Sequence, residues 1–238
     1  MGIRELARKL VLREKASSDT YVRFLRSKGV RVGQDVTIYV PQKTTIDLQH
    51  PWMIEIGDHV RITQGVVILA HDYSWYVLKG LSGAVYGASG YVKIGNNVFI
   101  GMNAIITRNV TIGNNVIIGA GSVVTKDCAD NGVYAGNPAR KIMDIDAFCC
   151  KREDAQLAEA RELAREYYKV YGKKPDPEIF HEYFPLFSYV DAVQANPVFH
   201  EKTGKHGNRE MTEEYLADHK PAFEDYEAFL GYCLVDLL

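Results

Sequence analysis

Imidazole is the side chain best suited to take a proton from a hydroxyl near neutral pH, because its reference pKa is about 6.5. Three of the seven histidines, His50, His59 and His71, fall between residues 30 and 145. His71 stands in Ile68-Leu69-Ala70-His71-Asp72-Tyr73, where a regular aliphatic pattern gives way to irregular chain. Binding and catalytic residues gather at such breaks. A lone histidine is more often structural or simply exposed, so its position alone assigns nothing. A working imidazole also needs an acceptor on its far nitrogen. Asp72, Glu55, Asp58 and a backbone carbonyl all stay open for that role. Three histidines could instead hold zinc, but the spacings from 50 to 59 and from 59 to 71 do not gather on one face of a regular coil. Cys128, Cys149, Cys150 and Cys233 fit neither a zinc site nor a disulfide framework, so they read as free thiols in a reducing compartment.

The elements that must position these groups repeat every six residues. An aliphatic residue stands at Ile94, Ile100, Ile106, Ile112, Ile118 and Val124. Gly95, Gly101, Thr107, Gly113, Gly119 and Thr125 follow them, and Val98, Ala104, Val110, Val116, Ser122 and Cys128 stand four residues beyond. This period fits neither a helix nor a free-standing strand. It describes short strands joined by tight corners and stacked as coils. Three hexads, about 18 residues, close one triangular turn with the aliphatic side chain inside. Glycine after the aliphatic is expected to supply unusual backbone angles. The pairs Asn96-Asn97 and Asn114-Asn115 fall at corners, where asparagine tolerates left-handed backbone.

The pattern divides the 238 residues into three zones. Residues 1–29 form a helical cap. Helix is expected from 3 to 28 with a break near Ala16 to Asp19, Ser18 or Asp19 capping the second part and Gly29 ending it. Residues 30–145 form the coils, interrupted at Pro41 and Pro51 and again from Ala70 to Tyr91, a stretch rich in glycine and aromatics. Residues 146–238 read as a helical extension: helix over 154–171 stopped by Gly172, a short helical stretch over 178–183, another starting at Thr212, and a last one over 222–238. No period is evident between 187 and 210. The aromatics of this zone, Phe180 to Tyr232, read as a packing face against the coils or a sister subunit.

Composition narrows the partners. The apolar share is 47% and the formal net charge is -2, normal for a soluble protein and without the basic block that a nucleic-acid partner needs. Residues 1–18 are charged throughout and lack an apolar secretory core. Gly2 is a poor myristoylation site, since Leu6 stands where Ser or Thr is needed. No stretch approaches 18 uncharged apolar residues. The first helix offers at most peripheral membrane contact, through Leu6, Leu10 and Arg13 with Arg4, Arg8 and Lys9 nearby.

The hexads IGNNVF, IGMNAI, ITRNVT, IGNNVI, IGAGSV and VTKDCA, followed by Gly136-Asn137-Pro138-Ala139-Arg140-Lys141-Ile142, resemble the hexapeptide-repeat acyltransferases, above all the polysaccharide and galactoside O-acetyltransferases. The resemblance covers residues 30–145. It implies a mainly β fold: a left-handed parallel β-helix, here with short N-terminal helices and an α-helical C-terminal extension. It implies a cytoplasmic homotrimer, acetyl-CoA as donor with no metal, and a saccharide acceptor in a site between subunits. His71 matches the family's catalytic histidine, placed before a projecting loop. Asp72, Tyr73, Trp75 and Tyr86, with Tyr76, match the substrate side, where the aromatics could form a sugar wall or merely pack the loop. Phe99, Thr125, Lys126 and Asn137 match family elements near the CoA chain. Ala104, Gly119 and Ala120 suit a pantetheine groove if exposed. Lys126, Arg140 and Lys141, and more weakly Arg108, could meet phosphates.

A thioester leaves readily as thiolate, so the reaction mainly needs a base on the acceptor hydroxyl. Backbone N–H groups near Gly101 to Asn103, or near Gly119 to Gly121 of a neighbour, are candidates for an oxyanion site. N-acylation of an amino sugar would use the same histidine, and a non-catalytic scaffold or binding subunit would use none of it.

Overall fold

The computed structural model describes residues 11–237. The expectations for residues 3 to 10, including the membrane-facing helix, lie outside the described residues. The chain divides into two compact units, Met1–Phe148 and Cys149–Leu238.

The first unit is mainly β, and its chain visits three parallel sheets in strict rotation. One face holds Arg31–Val32, Ile54–Ile56, Val92–Ile94 and Val110–Ile112. The next holds Thr37–Ile38, Arg61–Ile62, Val98–Ile100, Val116–Ile118 and Gly132–Ala135, with Arg140–Asp144 antiparallel at its edge. The third holds Thr45–Ile46, Val67–Ile68, Ile105–Ile106 and Val123–Val124. Register keeps like over like: Ile56 faces Ile94, and Ile94 faces Ile112. The predicted inward aliphatics, Ile94, Ile100, Ile106, Ile112, Ile118 and Val124, are all buried in one core. Each contributes about 1.5–3 kcal/mol of transfer free energy.

The glycines after the aliphatics have a different physical cause from the one expected. Gly95, Gly101, Gly113 and Gly119 do not adopt left-handed backbone. They are small because the next coil is too close. A β-carbon on Gly95 would stand 2.7 Å from the carbonyl carbon of Gly113, and one on Gly57 would stand 2.6 Å from the carbonyl oxygen of Gly95. Left-handed corners fall instead at residues such as Asp35, His59, Asn97, Asn115 and Asn131, with φ between 48° and 57°. Their side chains also bond from coil to coil: Asn97 Nδ2 donates to Asn115 Oδ1 at 2.9 Å and Asn115 Nδ2 to Asn131 Oδ1 at 2.8 Å.

The helix Ser18–Lys28 seals one end of this core. Ser17, one residue before the expected caps, closes a capping box with Thr20, and Gly29 ends the helix at φ 102°. Tyr21, Val22 and Leu25 enter the same cluster as Ile38, Ile46 and Ile54, so the open edge of the first coil is covered.

The coil between Ile56 and Ile94 carries about twenty residues more than the one after it. The excess is the stretch from Ala70 to Tyr91, which was expected to be irregular. It is an arm. His71–Asp72 pairs antiparallel with Ala88–Ser89 at its base, and Trp75–Ser82 forms a helix at its far end. No residue of that helix is buried, because the arm stands away from the coils.

The second unit is helical. Helix Ile145–Tyr171 is longer than the pattern indicated and stops before Gly172, whose φ is 63°. The stretch expected over 178–183 is a single 3-10 turn, Pro177–Phe180. Helices Val190–Ala195 and Pro197–Thr203 occupy the zone that showed no period, too short to display one. Arg209–Asp218 begins ahead of Thr212, and Tyr226–Leu234 starts at its Asp225 cap. The aromatics pack on one another within this unit rather than waiting for an outside surface. Phe184 stacks on Phe199 at 5.1 Å and Phe187 on Phe229 at 4.8 Å, around Ala160 and Ala164. All four cysteines are free thiols. No described helix is long and apolar enough to cross a membrane.

The close approach of glycines across coils gives a direct test. Gly95→Ala is expected to lose about 1–3 kcal/mol of stability in urea unfolding, since overpacking has nowhere to relax. Gly87→Ala, where an added carbon meets nothing within 4 Å, is expected to stay within about 0.5 kcal/mol of the native protein.

Candidate active site

The third face sets the site. Ile46 and Ile68 are paired, so the residues that follow them leave the sheet side by side. Asp47 N–H still donates to the Ile68 carbonyl at 2.9 Å. Ala70 is fully buried and fills the interior, and His71 then turns out into the base of the arm. The result is a carboxylate beneath an imidazole. Asp47 Oδ2 accepts the Ala70 N–H at 2.9 Å and a very short bond from His71 Nδ1, while Oδ1 accepts the Gln49 N–H at 2.8 Å. The Asp47 side chain is 3% exposed and that of His71 16%.

Asp47 was not among the orienting candidates. Burial pushes its carboxyl up, but the Gln49 N–H, His71 and the Ala70 N–H together outweigh burial and hold it below the usual carboxylate range. The carboxylate is an acceptor only, so Nδ1 of His71 carries a proton, and Nε2 is the nitrogen that holds the lone pair in the neutral ring. The sequence did hold a signal: Asp47 follows an inward isoleucine, at the position where the regular hexads carry Gly or Thr.

The three residues proposed for this role are engaged elsewhere. Asp72 Oδ1 accepts from the Ser74 hydroxyl and N–H, and its Oδ2 accepts from Arg108 Nε at 2.7 Å. The Ser74 hydroxyl and the Arg108 guanidinium hold the Asp72 carboxyl far below its usual range. Arg108, expected as a weak phosphate contact, is therefore half of an ion pair. Glu55 accepts from Tyr91 and Arg31, and Asp58 Oδ1 accepts the Gln34 N–H at 2.6 Å in a corner ladder.

The His71 ring is held between two other rings. Tyr73 meets it edge-on at 5.2 Å, and its hydroxyl donates to Gln49 Oε1 at 2.9 Å. His50 meets it from elsewhere at 5.4 Å, perpendicular. Trp75 lies 6.3 Å from Tyr73 and Tyr76 lies 6.2 Å from Trp75, whereas Tyr86 is 66% exposed farther along the arm. His59 is at a different corner, bonded to Asp35. Among the described residues no group of three or more His, Cys, Asp or Glu is placed to hold a metal ion.

A cleft of about 400 Å³ opens beside His71, lined by Leu69, His71, Asp72, Thr107, Arg108, Asn109 and Thr125. Of the cofactor candidates, Thr125 and Arg108 line it, and Lys126 beside Thr125 is exposed. Ala104 is fully buried in the core, because the position four residues after each aliphatic points inward, so it lines no groove. Phe99 is exposed on another face. Ala120, Asn137 and Arg140 are exposed and Gly119 is half-buried. The Lys141 ammonium is paired with Asp144. The N–H groups of Gly101, Asn103, Gly119 and Gly121 all donate to coil carbonyls at 2.7–3.0 Å, so none holds an oxyanion without giving up a rung.

Residues 91–126 match the family described as bacterial transferase hexapeptide (six repeats). Protein CapG of Staphylococcus aureus is 46% identical over 124 residues, which cover 52% of this chain and 71% of that protein. The chain belongs to the hexapeptide-repeat acyltransferases. The galactoside O-acetyltransferase of Escherichia coli is 41% identical to this hexapeptide-repeat enzyme over 94 residues, 40% of this chain and 45% of that one. The chain thus spans under half of that relative's length. A maltose O-acetyltransferase from Clostridium difficile 630 shares 33% identity over 53% of this chain and 75% of its own, with a TM-score of 0.44.

The buried carboxylate in this acyltransferase makes a pH test with a definite sign. The folded Asp47 carboxyl lies below its unfolded value of about 3.9, so its contribution is complete above about pH 4 and is lost as pH falls through the lower folded value. Asp47→Asn is expected to cost about 1–3 kcal/mol at neutral pH. In urea unfolding the gap to the native protein should narrow as pH falls below about 4. A gap that stays constant over that range would exclude the carboxylate as its source.

Proposed function

We propose that this acyltransferase moves an acetyl group from acetyl-CoA to a hydroxyl of a saccharide, with His71 as general base. The observation that carries the reading is the Asp47–His71 pair at the mouth of a cleft. Family membership, and the O-acetyltransferase names of relatives, support the donor and the class of acceptor.

Nε2 of His71 takes the hydroxyl proton as the acceptor oxygen attacks the thioester carbonyl. The tetrahedral intermediate collapses with cleavage of the C–S bond, and the imidazolium returns its proton to the leaving thiolate. Atoms and charge balance: an ester and CoA thiol form from an alcohol and a thioester. Asp47 fixes the tautomer before the transfer and stabilises the imidazolium during it. The rings of Tyr73 and His50 keep the base from rotating away.

The rest of the reading is architectural. The coil is a left-handed β-helix, and three copies assemble so that the exposed face carrying Phe99 and the corner of Gly119 and Ala120 closes the cleft of a neighbour. Thr125 and Lys126 take the donor on the side of the later coils, with Asn137 and Arg140 toward the nucleotide. Tyr73 and Trp75 take the acceptor, together with Tyr86 if the arm folds down. Asp72 shapes the cleft through Arg108 rather than by binding sugar alone. The enzyme works in the cytoplasm, on a polysaccharide precursor.

Purified protein is expected to release CoA thiol from acetyl-CoA when a saccharide acceptor is added, with a product heavier by one acetyl group in mass spectrometry. His71→Ala should lower the rate by about 10²–10⁴-fold without altering the oligomer in solution. Full turnover by that variant would remove His71 from the mechanism.

A further inference from the structure

His50 packs against the His71 ring, and Trp52 follows it two residues along the chain. In the fold they stand together beside the base. The His50 ring meets Trp52 edge-on at 5.6 Å and His71 at 5.4 Å. Trp52 is 58% exposed. Nδ1 of His50 is buried and has no hydrogen-bond partner among the described residues. A proton there would be a buried donor with nothing to meet, which is the costlier of the two neutral arrangements. Nε2 is then the nitrogen that carries the proton, and it is the one left to reach a ligand.

The order of the coils says which ligand. Along the third face, the strand Thr45–Ile46 comes first, Val67–Ile68 second, Ile105–Ile106 third and Val123–Val124 last. Thr107, Arg108 and Thr125, which line the cleft, follow the later strands. Asp47, Gln49, His50 and Trp52 follow the first. His71 lies between the two groups. If the donor occupies the later side, the acceptor occupies the earlier one.

We propose that His50 and Trp52, with Gln49 and Tyr73, form the saccharide subsite, in which His50 Nε2–H donates to an oxygen next to the reacting hydroxyl. This deepens the proposed function and rests on it. Trp52 presents a flat apolar face to the C–H side of a sugar ring, and the Tyr73–Gln49 hydrogen bond fixes the wall behind it. None of the four is a cation, so the site needs no anionic group on the sugar. It takes a pyranose bearing two adjacent oxygens, one to react and one to be held.

The test compares the native enzyme, His50→Phe and Trp52→Leu in CoA thiol release from acetyl-CoA, with a panel of p-nitrophenyl pyranosides and their single-deoxy forms. Each substitution should raise the acceptor KM about tenfold and leave the acetyl-CoA KM unchanged. Removing the neighbouring hydroxyl from the sugar should cost the native enzyme about the same factor and cost His50→Phe nothing further. Imidazole nitrogen NMR of the native protein should show His50 in one neutral tautomer, protonated on Nε2. Native acceptor KM in both variants, with His71→Ala still inactive, would overturn the subsite and leave the base in place. A proton on Nδ1 of His50 would overturn it whatever the kinetics. Acetylation of no glycoside at all would overturn the proposed function and the subsite with it.

Discussion

Every coil lies so close to the next that no β-carbon fits between the glycines that face each other across it. Gly33, Gly57, Gly95 and Gly113 stack in one such column. The backbone bonds from Gly57 to Ile94, Gly95 to Ile112 and Gly113 to Cys128, each 2.8 Å, run along it. That spacing fixes the register, and the register fixes which side chains become neighbours. A slip of one residue would turn the inward isoleucines outward.

The pairing of Asp47 with His71 follows from this constraint and from nothing local. The two residues are far apart along the chain, and only the alignment of Ile46 with Ile68 puts the carboxylate under the imidazole. The carboxylate is then over-determined, because two backbone N–H groups hold it as well as the ring. A group anchored in this way stays put whatever the charge on the imidazole.

The coils were legible in the sequence because each hexad repeats the same physical demand: one aliphatic inward, one small residue under the next coil, one residue able to turn the corner. His71 was legible as a residue at a break in that pattern. Its partner was not, because Asp47 lies where the early coils depart from period six around Pro41 and Pro51. Ala104 was misassigned by applying surface chemistry to an inward position. The helix Trp75–Ser82 was hidden by Gly80 within it, by the glycines around it and by having no apolar stripe set against a core. The short helices Val190–Ala195 and Pro197–Thr203 are under two turns each, less than a period needs to show itself.

The coils resume their alignment on either side of the arm as though it were absent. Ile62 meets Ile100 and Ile68 meets Ile106 in the same sense as Ile100 meets Ile118, and the two ends of the excursion are tied by the bond from Gly90 to Ala70 at 2.8 Å. The arm is therefore a cassette on an indifferent scaffold. Lengthening it, trimming it or grafting in another need not disturb the prism so long as the clasp survives. Changes in such an arm can accumulate quickly while its foundation stays unchanged.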